Sequence, residues 1–399
     1  MVVGTAGAVS RIPIPAGSPY GLDNLPYGVF STPGGGPRVG VRVGDTVLDL
    51  AATLGDEAFA RPTLNDFLAQ GREAWAKTRR RVRALVDGEP PAYAVLPLAA
   101  ARMHRPFDVG DYVDFYCSEH HASNVGRLFR PGQEPLTPNW RHLPIGYHGR
   151  AGTVVVSGTE IRRPCGQRRG ADGPVFGPST QLDVEAELGF VVGSGSPLGS
   201  RVRTQDFDEH VFGVVLLNDW SARDIQAWEY VPLGPHLGKS FATSISAWVV
   251  PMAALASARV PTPAQGPKLP YLAMERPWGL DVQVRVEWNG VEVSRPPYRE
   301  TYWSPAQMLA HLTVAGASTR PGDLFASGTI SGPGSGERGS FLELTWGGAE
   351  PVDVGGRPST FVEDGDEIVL SAAAPGPAGS RIGFGECRGR ILPARPLEC

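Results

Sequence analysis

Two glutamates separated by a single residue form the first segment that could do chemistry. In residues 183–188, a β-strand would direct Glu185 and Glu187 to one face, about 6–7 Å apart along the chain. The intervening residues are apolar and would occupy the opposite face. Hard divalent cations need several converging oxygen ligands, so this pair predicts part of a cation site. A strand with one solvated face explains the same alternation, and the segment by itself favours that simpler interpretation.

A second segment, residues 217–230, joins the end of an apolar strand to the start of a helix. Asp219 closes the strand, and Arg223, Gln226 and Tyr230 fall at helical spacing on one side of the helix. Aromatic and apolar neighbours imply burial, and a buried arginine or aspartate must be paired or must hold a ligand. These residues indicate the lining of a site at the strand end, although a solvated helix face explains the spacing equally well.

A third segment begins at Asp114 and ends with an adjacent histidine pair, His120 and His121. An isolated histidine pair is more often structural than catalytic, and no HExxH zinc spacing occurs, so this segment alone is weak evidence for a site. The glycine-rich turns near residues 326–332 and 381–385 lack phosphate-binding spacings, and no GxSxG motif is evident. Nothing therefore indicates a nicotinamide, flavin or pyridoxal cofactor, or an α/β-hydrolase nucleophile.

Composition excludes several classes of partner. The 399 residues include 37 basic and 41 acidic side chains, a net charge of −4, which argues against nucleic acid or an anionic membrane as the main partner. The most apolar stretch, residues 247–255, is short and contains Pro251, so no membrane-spanning helix is predicted. Four cysteines lie far apart and no secretory signal is visible, which predicts a cytoplasmic protein with free thiols.

The first third of the chain reads as a small unit of its own. Valines at positions 39, 41 and 43, followed by Gly44 and Asp45, predict a hairpin. Residues 63–66 resemble a capping box that opens a short helix, and a second helical pattern begins at Glu73. A boundary to a second domain is expected between Gly88 and Pro106.

The remaining sequence predicts mostly strands. The apolar runs 154–156, 189–192 and 211–217 are typical of strands that are covered on both faces. The clearest helix spans residues 304–315, because Ser304 can cap it, Pro305 suits its first turn and Gln307 completes the capping box. A mainly β sandwich or roll with a few helices is the fold class that fits best.

Taken together, these segments strongly resemble the fumarylacetoacetase family. Motifs of this length do not arise from composition, and the resemblance extends from about Leu25 to Pro393. The motifs that carry it are NLPYGVFSTPG (24–34), DFYCSEHHASNVG (114–126), PNWRHLPIGYHGRA (138–151), VVSGTEIRRP (155–164), LLNDWSARDIQAWEYVPLGP (216–235), GKSFATSIS (238–246) and RPGDLFASGTISG (320–332). The resemblance implies a small SH3-like N-terminal barrel over residues 1–106, a catalytic β-sandwich roll over residues 107–399, and a homodimer.

The family's functional positions carry over residue by residue. They imply a divalent cation, Ca²⁺ or Mg²⁺, between carboxylates at Asp114, Glu185, Glu187 and Asp219. They imply a catalytic base at His121, oriented by Glu343, with Arg223, Gln226 and Lys239 around the reacting centre. The implied contacts to substrate are Tyr116, Arg130, Tyr147, Gln226, Tyr230 and Thr329, and a further cation site would use Asp219, Lys239 and Thr243.

The activity implied by the resemblance is hydrolysis of the carbon–carbon bond of 4-fumarylacetoacetate, the last step of tyrosine and phenylalanine catabolism. The substrate would be a small diketo acid. Two departures from the family pattern stand out: Ala242 replaces a usual glycine beside the further cation site, and His120 occupies a position where glutamine is common. The alternatives are a hydrolase of the same fold for another acylpyruvate or 1,3-diketone acid, and a non-catalytic, metal-stabilised dimer that binds a small acid or a partner protein.

Overall fold

The computed structural model describes residues 12–396 of the chain. Its first strands are β1 Tyr27–Ser31, β2 Arg38–Val43, β3 Thr46–Asp49, β4 Val95–Pro97, β5 Arg102–His104, β6 Tyr112–Phe115, β7 Gly146–His148, β8 Val154–Val156, β9 Ile161–Arg162, β10 Cys165–Arg169, β11 Pro174–Pro178, β12 Leu182–Asp183 and β13 Ala186–Val192. The later strands are β14 Val211–Asp219, β15 Ser221–Ala222, β16 Thr243–Ile245, β17 Trp248–Pro251, β18 Arg259–Pro261, β19 Trp278–Leu280, β20 Gln283–Trp288, β21 Val291–Ser294, β22 Leu324–Ala326, β23 Val352–Val354, β24 Arg357–Ser359, β25 Glu367–Pro375 and β26 Arg381–Leu392. The helices are α1 Leu50–Leu54, α2 Asn65–Leu68, α3 Gly71–Asp87, α4 Glu119–Phe129, α5 Phe207–His210, α6 Arg223–Glu229, α7 Pro305–Thr313 and α8 Phe341–Leu344.

Thirteen strands form one large sheet that runs through both halves of the chain. Its main order is β4-β3-β2-β1-β17-β14-β13-β22-β6-β7, with β5 on β1, β16 on β14 and β8 on β16. Strand β1 pairs with β17 through Tyr27 opposite Val249, so hydrogen bonding continues across the boundary expected near residue 106. The N-terminal strands are therefore one end of a shared sheet. The SH3-like closure of residues 1–106 stays a prediction.

The centre of this sheet is buried on both faces. Every residue of β13 and β14 is buried, because core side chains cover the two strands from both sides. A second sheet, in the order β21-β20-β25-β26-β9, packs through β26 onto β14, β16 and β17. Two packed sheets with few helices confirm the mainly β class. The predicted covering of both faces is confirmed for the runs 189–192 and 211–217, but not for 154–156, where Val155 and Val156 are only partly buried.

Local signals in the sequence predict some elements well. The hairpin forms, with Val43 opposite Thr46, and α3 follows the predicted helical pattern. Helix α7 has the predicted capping box, in which Ser304 and Gln307 bond reciprocally at its N-terminus. No helix among the described residues is both long enough and apolar enough to span a bilayer.

Two predicted caps are wrong in detail. Thr63 does not cap α2, because the helix begins at Asn65 and the Thr63 hydroxyl donates to the Asn65 side chain. Ser221 together with Asp224 predicts the start of α6, but Asp224 makes no cap there either, and the helix has no side-chain cap. The Asp224 carboxylate accepts hydrogen bonds from Ser179 and Thr180, two residues that precede β12. A tertiary partner therefore competes successfully with the local cap.

Candidate active site

The order of the large sheet brings four carboxylates together. Asp114 lies on β6, Glu187 on β13 and Asp219 at the end of β14, while Glu185 immediately precedes β13. Strand β22 connects β6 to β13, and β14 lies on the other side of β13. Carboxyl oxygens of the four residues lie within 4.8 Å of one another, and all four side chains are buried. Glu185 and Glu187 therefore point to the same side, as predicted. The simpler interpretation, a face exposed to solvent, is wrong because both side chains are buried.

The chemistry of this cluster fits a hard cation. Asp114 Oδ1 and Glu187 Oε1 are buried without a hydrogen-bond partner in the described structure. Burial raises the pKa of Asp114 and of Glu187 well above their ordinary values, and the neighbouring carboxylates raise both further. Burial also raises the pKa of Asp219. A divalent cation would supply the missing partner for these oxygens and would keep the carboxylates ionised.

Two buried cations compensate part of the negative charge. Lys239 Nζ donates to Asp219 Oδ2 at 2.9 Å and also to Glu185 Oε2. Arg223 Nη2 lies 2.8 Å from Glu185 Oε1, and its Nε donates to Asp183 Oδ2 at 2.7 Å. Burial opposes ionisation of Glu185, but the charges of Lys239 and Arg223 outweigh it and lower its pKa. Arg223 and Lys239 thus hold Glu185 as an anion, whereas neither Asp114 nor Glu187 forms a salt bridge with these two side chains.

Asp219 is the most heavily hydrogen-bonded member of the cluster. Besides Lys239, the Thr243 hydroxyl donates to its Oδ1 at 2.9 Å and the Tyr147 hydroxyl to its Oδ2 at 3.0 Å. Asp219, Lys239 and Thr243, the residues implied for a further cation site, are therefore brought together. As an ammonium, Lys239 cannot be a ligand through Nζ, so Asp219 and Thr243 are the members of this trio that offer side-chain oxygens to a cation. Ala242 does not adopt the left-handed φ that would demand glycine, so its departure from the family pattern causes no strain.

The histidine beside the cluster is held by a buried glutamate. His121 lies in the first turn of α4, whose N-cap is Ser118. Its Nδ1 is 2.6 Å from Glu343 Oε2, and its Nε2 is 3.9 Å from Glu185 Oε1. Burial opposes ionisation of Glu343, but the charge and hydrogen bond of His121 outweigh it and lower the pKa of Glu343. An ionised Glu343 favours the tautomer with the proton on Nδ1, which leaves Nε2 free to accept a proton on the side of the carboxylates.

The adjacent histidine has different surroundings. His120 is half-buried, and its Nε2 lies 3.8 Å from Glu300 Oε2. Glu300 does not belong to the carboxylate cluster. Of the two histidines, only His121 contacts Glu343 and Glu185. The geometry therefore favours His121 as the base, as the family pattern implies.

The remaining predicted residues divide into two groups. Near the cluster, Gln226 accepts a hydrogen bond from Arg223, Tyr116 packs edge-on against the His121 ring at 5.3 Å, and the Thr329 hydroxyl is buried without a partner. The other two have different partners: Arg130 donates to the Pro135 carbonyl and Tyr230 stacks on Phe129. The contacts of Arg130 and Tyr230 in the described structure do not join them to the carboxylates.

A cavity lies next to the cluster, on the side of Lys239. It has a volume of about 480 Å³ and is lined by two segments, residues 147–153 and 235–240. Tyr147 and Lys239 form part of its wall, and both donate to Asp219. The cluster is therefore buried but adjoins a space large enough for a small molecule.

Sequence reasoning missed the residues that hold the site residues in place. Asp183 accepts hydrogen bonds from Arg223 and from the backbone N–H groups of Phe341 and Leu342, so it connects α6 to α8. Asn124 donates to Glu343 Oε1 at 3.0 Å. Two signals were available: Asp183 belongs to the same acidic segment as Glu185, and Asn124 lies three residues after His121, a spacing that places two side chains on one face of a helix.

Comparison with known proteins identifies relatives over nearly the full chain. The family description "Fumarylacetoacetase N-terminal" matches residues 23–106, and "Fumarylacetoacetate (FAA) hydrolase C-terminal" matches residues 112–392. A fumarylacetoacetase from Homo sapiens is 47% identical, covering 97% of this chain and 99% of its own length. One from Oryza sativa subsp. japonica is 43% identical, covering 97% and 98%, and one from Dictyostelium discoideum is 40% identical, covering 96% and 98%.

Solved structures with low sequence identity share the fold. A fumarylacetoacetate hydrolase from Exiguobacterium antarcticum aligns with a TM-score of 0.59 at 17% identity, covering 93% of this chain and all of that one. A maleylpyruvate hydrolase from Sphingobium sp. SYK-6, in complex with manganese(II) and pyruvate, aligns with a TM-score of 0.54 at 16% identity, again covering 93% and 100%.

Proposed function

The chain belongs to the fumarylacetoacetase family, and from this membership we propose that it hydrolyses 4-fumarylacetoacetate to fumarate and acetoacetate. The observation that carries the proposal is the buried His121–Glu343 pair, whose free imidazole nitrogen faces a cluster of four carboxylates. Hydrolysis of a carbon–carbon bond needs both features, because water must be activated and the negative charge on the departing carbon must be stabilised.

The chemical difficulty lies in the leaving group. Breaking a carbon–carbon bond heterolytically produces a carbanion, and a 1,3-diketone reduces this cost because the charge spreads onto oxygen as an enolate. Asp114, Glu185, Glu187 and Asp219 would hold a divalent cation, which when bound supplies electrostatic stabilisation of developing negative charge. Ca²⁺ and Mg²⁺ both take carboxylate oxygens, and the manganese complex of the Sphingobium maleylpyruvate hydrolase supports a divalent ion in this fold.

His121 would act as the general base. Its Nε2 accepts a proton from water, and the water oxygen bonds to the carbonyl carbon beside the fumaryl group. Collapse of this adduct breaks the bond between that carbon and the adjacent methylene carbon, and the acid formed is released as fumarate. The electron pair stays on the enolate of acetoacetate, whose carbon takes up the proton that His121 removed from water, so the base is regenerated. Glu343 accepts from Nδ1 throughout, so it stabilises the imidazolium while the proton resides on His121.

The surrounding donors would stabilise the charge that develops on oxygen. Gln226 accepts from Arg223 through Oε1, which leaves its amide N–H groups available for an oxyanion. Lys239 and Arg223 already lie against Glu185 and would provide positive charge at the reacting centre. For substrate contacts we retain Tyr116, Arg130, Tyr147, Tyr230 and Thr329, with Arg130 and Tyr147 as candidates for a terminal carboxylate. Lys239 and Thr243, with Asp219, remain candidates for a further cation site.

The substrate can be tested with the absorbance of the diketone chromophore. We expect loss of this absorbance on mixing the protein with fumarylacetoacetate and Mg²⁺ or Ca²⁺, with fumarate and acetoacetate formed in equal amounts, and no loss after chelation. Acetylpyruvate, a shorter acylpyruvate, should react with much lower kcat/KM. A higher kcat/KM for acetylpyruvate would favour the alternative acylpyruvate hydrolase, and no turnover of either compound would favour a binding protein.

We also propose that the chain forms a homodimer in the cytoplasm. The segment after α6 exposes apolar side chains that no part of residues 12–396 covers, with Leu233 96% and Val231 67% exposed, beside the half-exposed Leu237. Such a surface is costly in water and is typical of a protein interface. Cys117, Cys165 and Cys387 are free thiols, which suits a reducing compartment, while Cys399 lies outside the described residues.

The dimer can be tested by light scattering after size-exclusion chromatography. We expect a mass of twice 42.5 kDa. Leu233→Asp should shift the mass towards the monomer, because it would bury a charge at the interface. Leu198→Asp is the matched control, since Leu198 is 84% exposed on a different loop. A monomeric wild-type chain, or equal effects of the two variants, would contradict this surface as the interface.

A further inference from the structure

The two oxygens of Glu343 have different partners. Oε2 faces His121 Nδ1 at 2.6 Å and also accepts from the hydroxyls of Ser331 at 3.0 Å and Ser340 at 2.8 Å. Oε1 accepts one hydrogen bond, from the amide of Asn124 at 3.0 Å. A carboxylate can rotate about its terminal bond. The hydrogen bond from Asn124 to Oε1 opposes this rotation and keeps Oε2 directed at His121.

Asn124 is itself oriented by a neighbour on the same helix. Arg127 Nη1 donates to Asn124 Oδ1 at 3.1 Å, so the amide oxygen is occupied and the amide nitrogen must point towards Glu343. His121, Asn124 and Arg127 follow one another at intervals of three residues on α4 and therefore share a face. The result is a hydrogen-bonded relay from Arg127 through Asn124 and Glu343 to the Nδ1 atom of His121.

We propose that Asn124 is a positioning residue for the reaction, acting through Glu343 to hold His121 in its proton-accepting tautomer. The proposal rests on the proposed function for its kinetic consequence, but its structural content is independent of the substrate. Without the Asn124 donor, Glu343 Oε1 is a buried acceptor without a partner, which is unfavourable. Rotation of the carboxylate lowers this cost, because the remaining donors can then bind both of its oxygens. The hydrogen bond to His121 Nδ1 then weakens, and the second tautomer, with the proton on Nε2, becomes populated.

A double-mutant cycle with Glu343 tests this role. We expect Asn124→Ala to lower kcat by about 10–100-fold, the value of one hydrogen bond to a charged group, with KM and Mg²⁺ affinity unchanged. In a Glu343→Gln background the same substitution should change kcat by less than about threefold, because residues that act as a unit are not additive. Ser123→Ala, at the adjacent half-buried position of α4, is the matched control and should leave both kcat values unchanged.

A second readout does not depend on catalysis. In protein with ¹⁵N-labelled histidine, the wild-type His121 ring should show Nδ1 protonated, and Asn124→Ala should shift it towards a mixture of tautomers. If the shift appears while fumarylacetoacetate is not a substrate of the wild type, the proposed function fails and the positioning role stands. An unchanged tautomer, or an equal loss of kcat with and without Glu343, would overturn the positioning role.

If the Asn124→Ala variant does not fold, Arg127→Gln provides the same test. Arg127 is exposed, so its replacement should leave the fold intact while releasing the Asn124 amide. We expect a smaller loss of kcat, about three- to tenfold, that again disappears in the Glu343→Gln background. A loss of equal size in both backgrounds would contradict the relay.

Discussion

Replacing His121 by alanine is expected to lower kcat by about 10²–10⁴-fold, the usual contribution of a positioned general base. His121 is the imidazole whose Nδ1 is bound by Glu343 and whose Nε2 faces the carboxylate cluster. The fold should survive, because Glu343 keeps the hydrogen bonds from Asn124, Ser331 and Ser340 after the ring is removed. Cation affinity, measured by calorimetric titration with Mg²⁺ or Ca²⁺, should stay close to that of the wild type.

The neighbouring histidine supplies the matched control. His120→Ala removes an imidazole from the same turn of α4, but one that faces Glu300 and has no contact with Glu343. It should keep kcat within a few fold of the wild type. Wild-type turnover in His121→Ala would show that the base is wrongly assigned, and a large loss in His120→Ala with none in His121→Ala would move the base to His120.

Replacing Glu187 by glutamine is expected to weaken divalent cation binding at least about 10–100-fold, the loss seen when only an outer partner of a metal ligand is removed. The substitution is well suited to this test. Glu187 Oε2 accepts from the Gly328 N–H, which an amide oxygen can also accept, whereas Oε1 is the buried oxygen without a partner. The variant therefore removes an anionic oxygen from the cluster without breaking a hydrogen bond. Turnover at limiting Mg²⁺ should fall in parallel with cation binding.

Glu187→Gln should weaken cation binding but should not destabilise the protein when no cation is bound. Glu187 repels Asp114 and Glu185 in the absence of a cation, so Glu187→Gln should leave the chelated protein at least as stable as the wild type. Glu350→Gln, an exposed carboxylate on the loop after α8, controls for loss of charge and should change neither affinity nor stability. An unchanged cation affinity in Glu187→Gln would remove Glu187 from the ligands.

The raised pKa values give this prediction a pH dependence of known sign. Asp114 and Glu187 have pKa values above their ordinary values of 3.8 and 4.5 in the folded chain, mainly through burial, so the folded state binds more protons than the unfolded state. The free energy of unfolding of chelated protein should therefore fall as the pH rises from about 4 through the raised pKa values. Mg²⁺ should flatten this dependence, and its binding should release protons, visible as a buffer-dependent enthalpy in calorimetry.

Local sequence determined the elements whose causes are local. The capping box at Ser304 defines the start of α7 because both partners lie within four residues of each other. The two-residue repeat of a strand predicted that Glu185 and Glu187 share one face, and their carboxyl oxygens do converge, although β13 itself begins only at Ala186. Where a distant partner competes, local reasoning failed: Asp224 bonds Ser179 and Thr180 and does not cap α6. Family motifs named most of the site residues, but not the contacts between them.

The tertiary structure decided which of these residues meet. His121 and Glu343 are 222 positions apart, and their contact depends on the packing of α4 against α8. Asp114 reaches Glu187 because β22 lies between β6 and β13, a strand order that no local pattern encodes. Such pairings are selected by the burial of whole strands, which is a property of the complete chain. The sequence therefore determined the chemistry that is available, and long-range packing decided that a histidine, its glutamate and four carboxylates share one buried site.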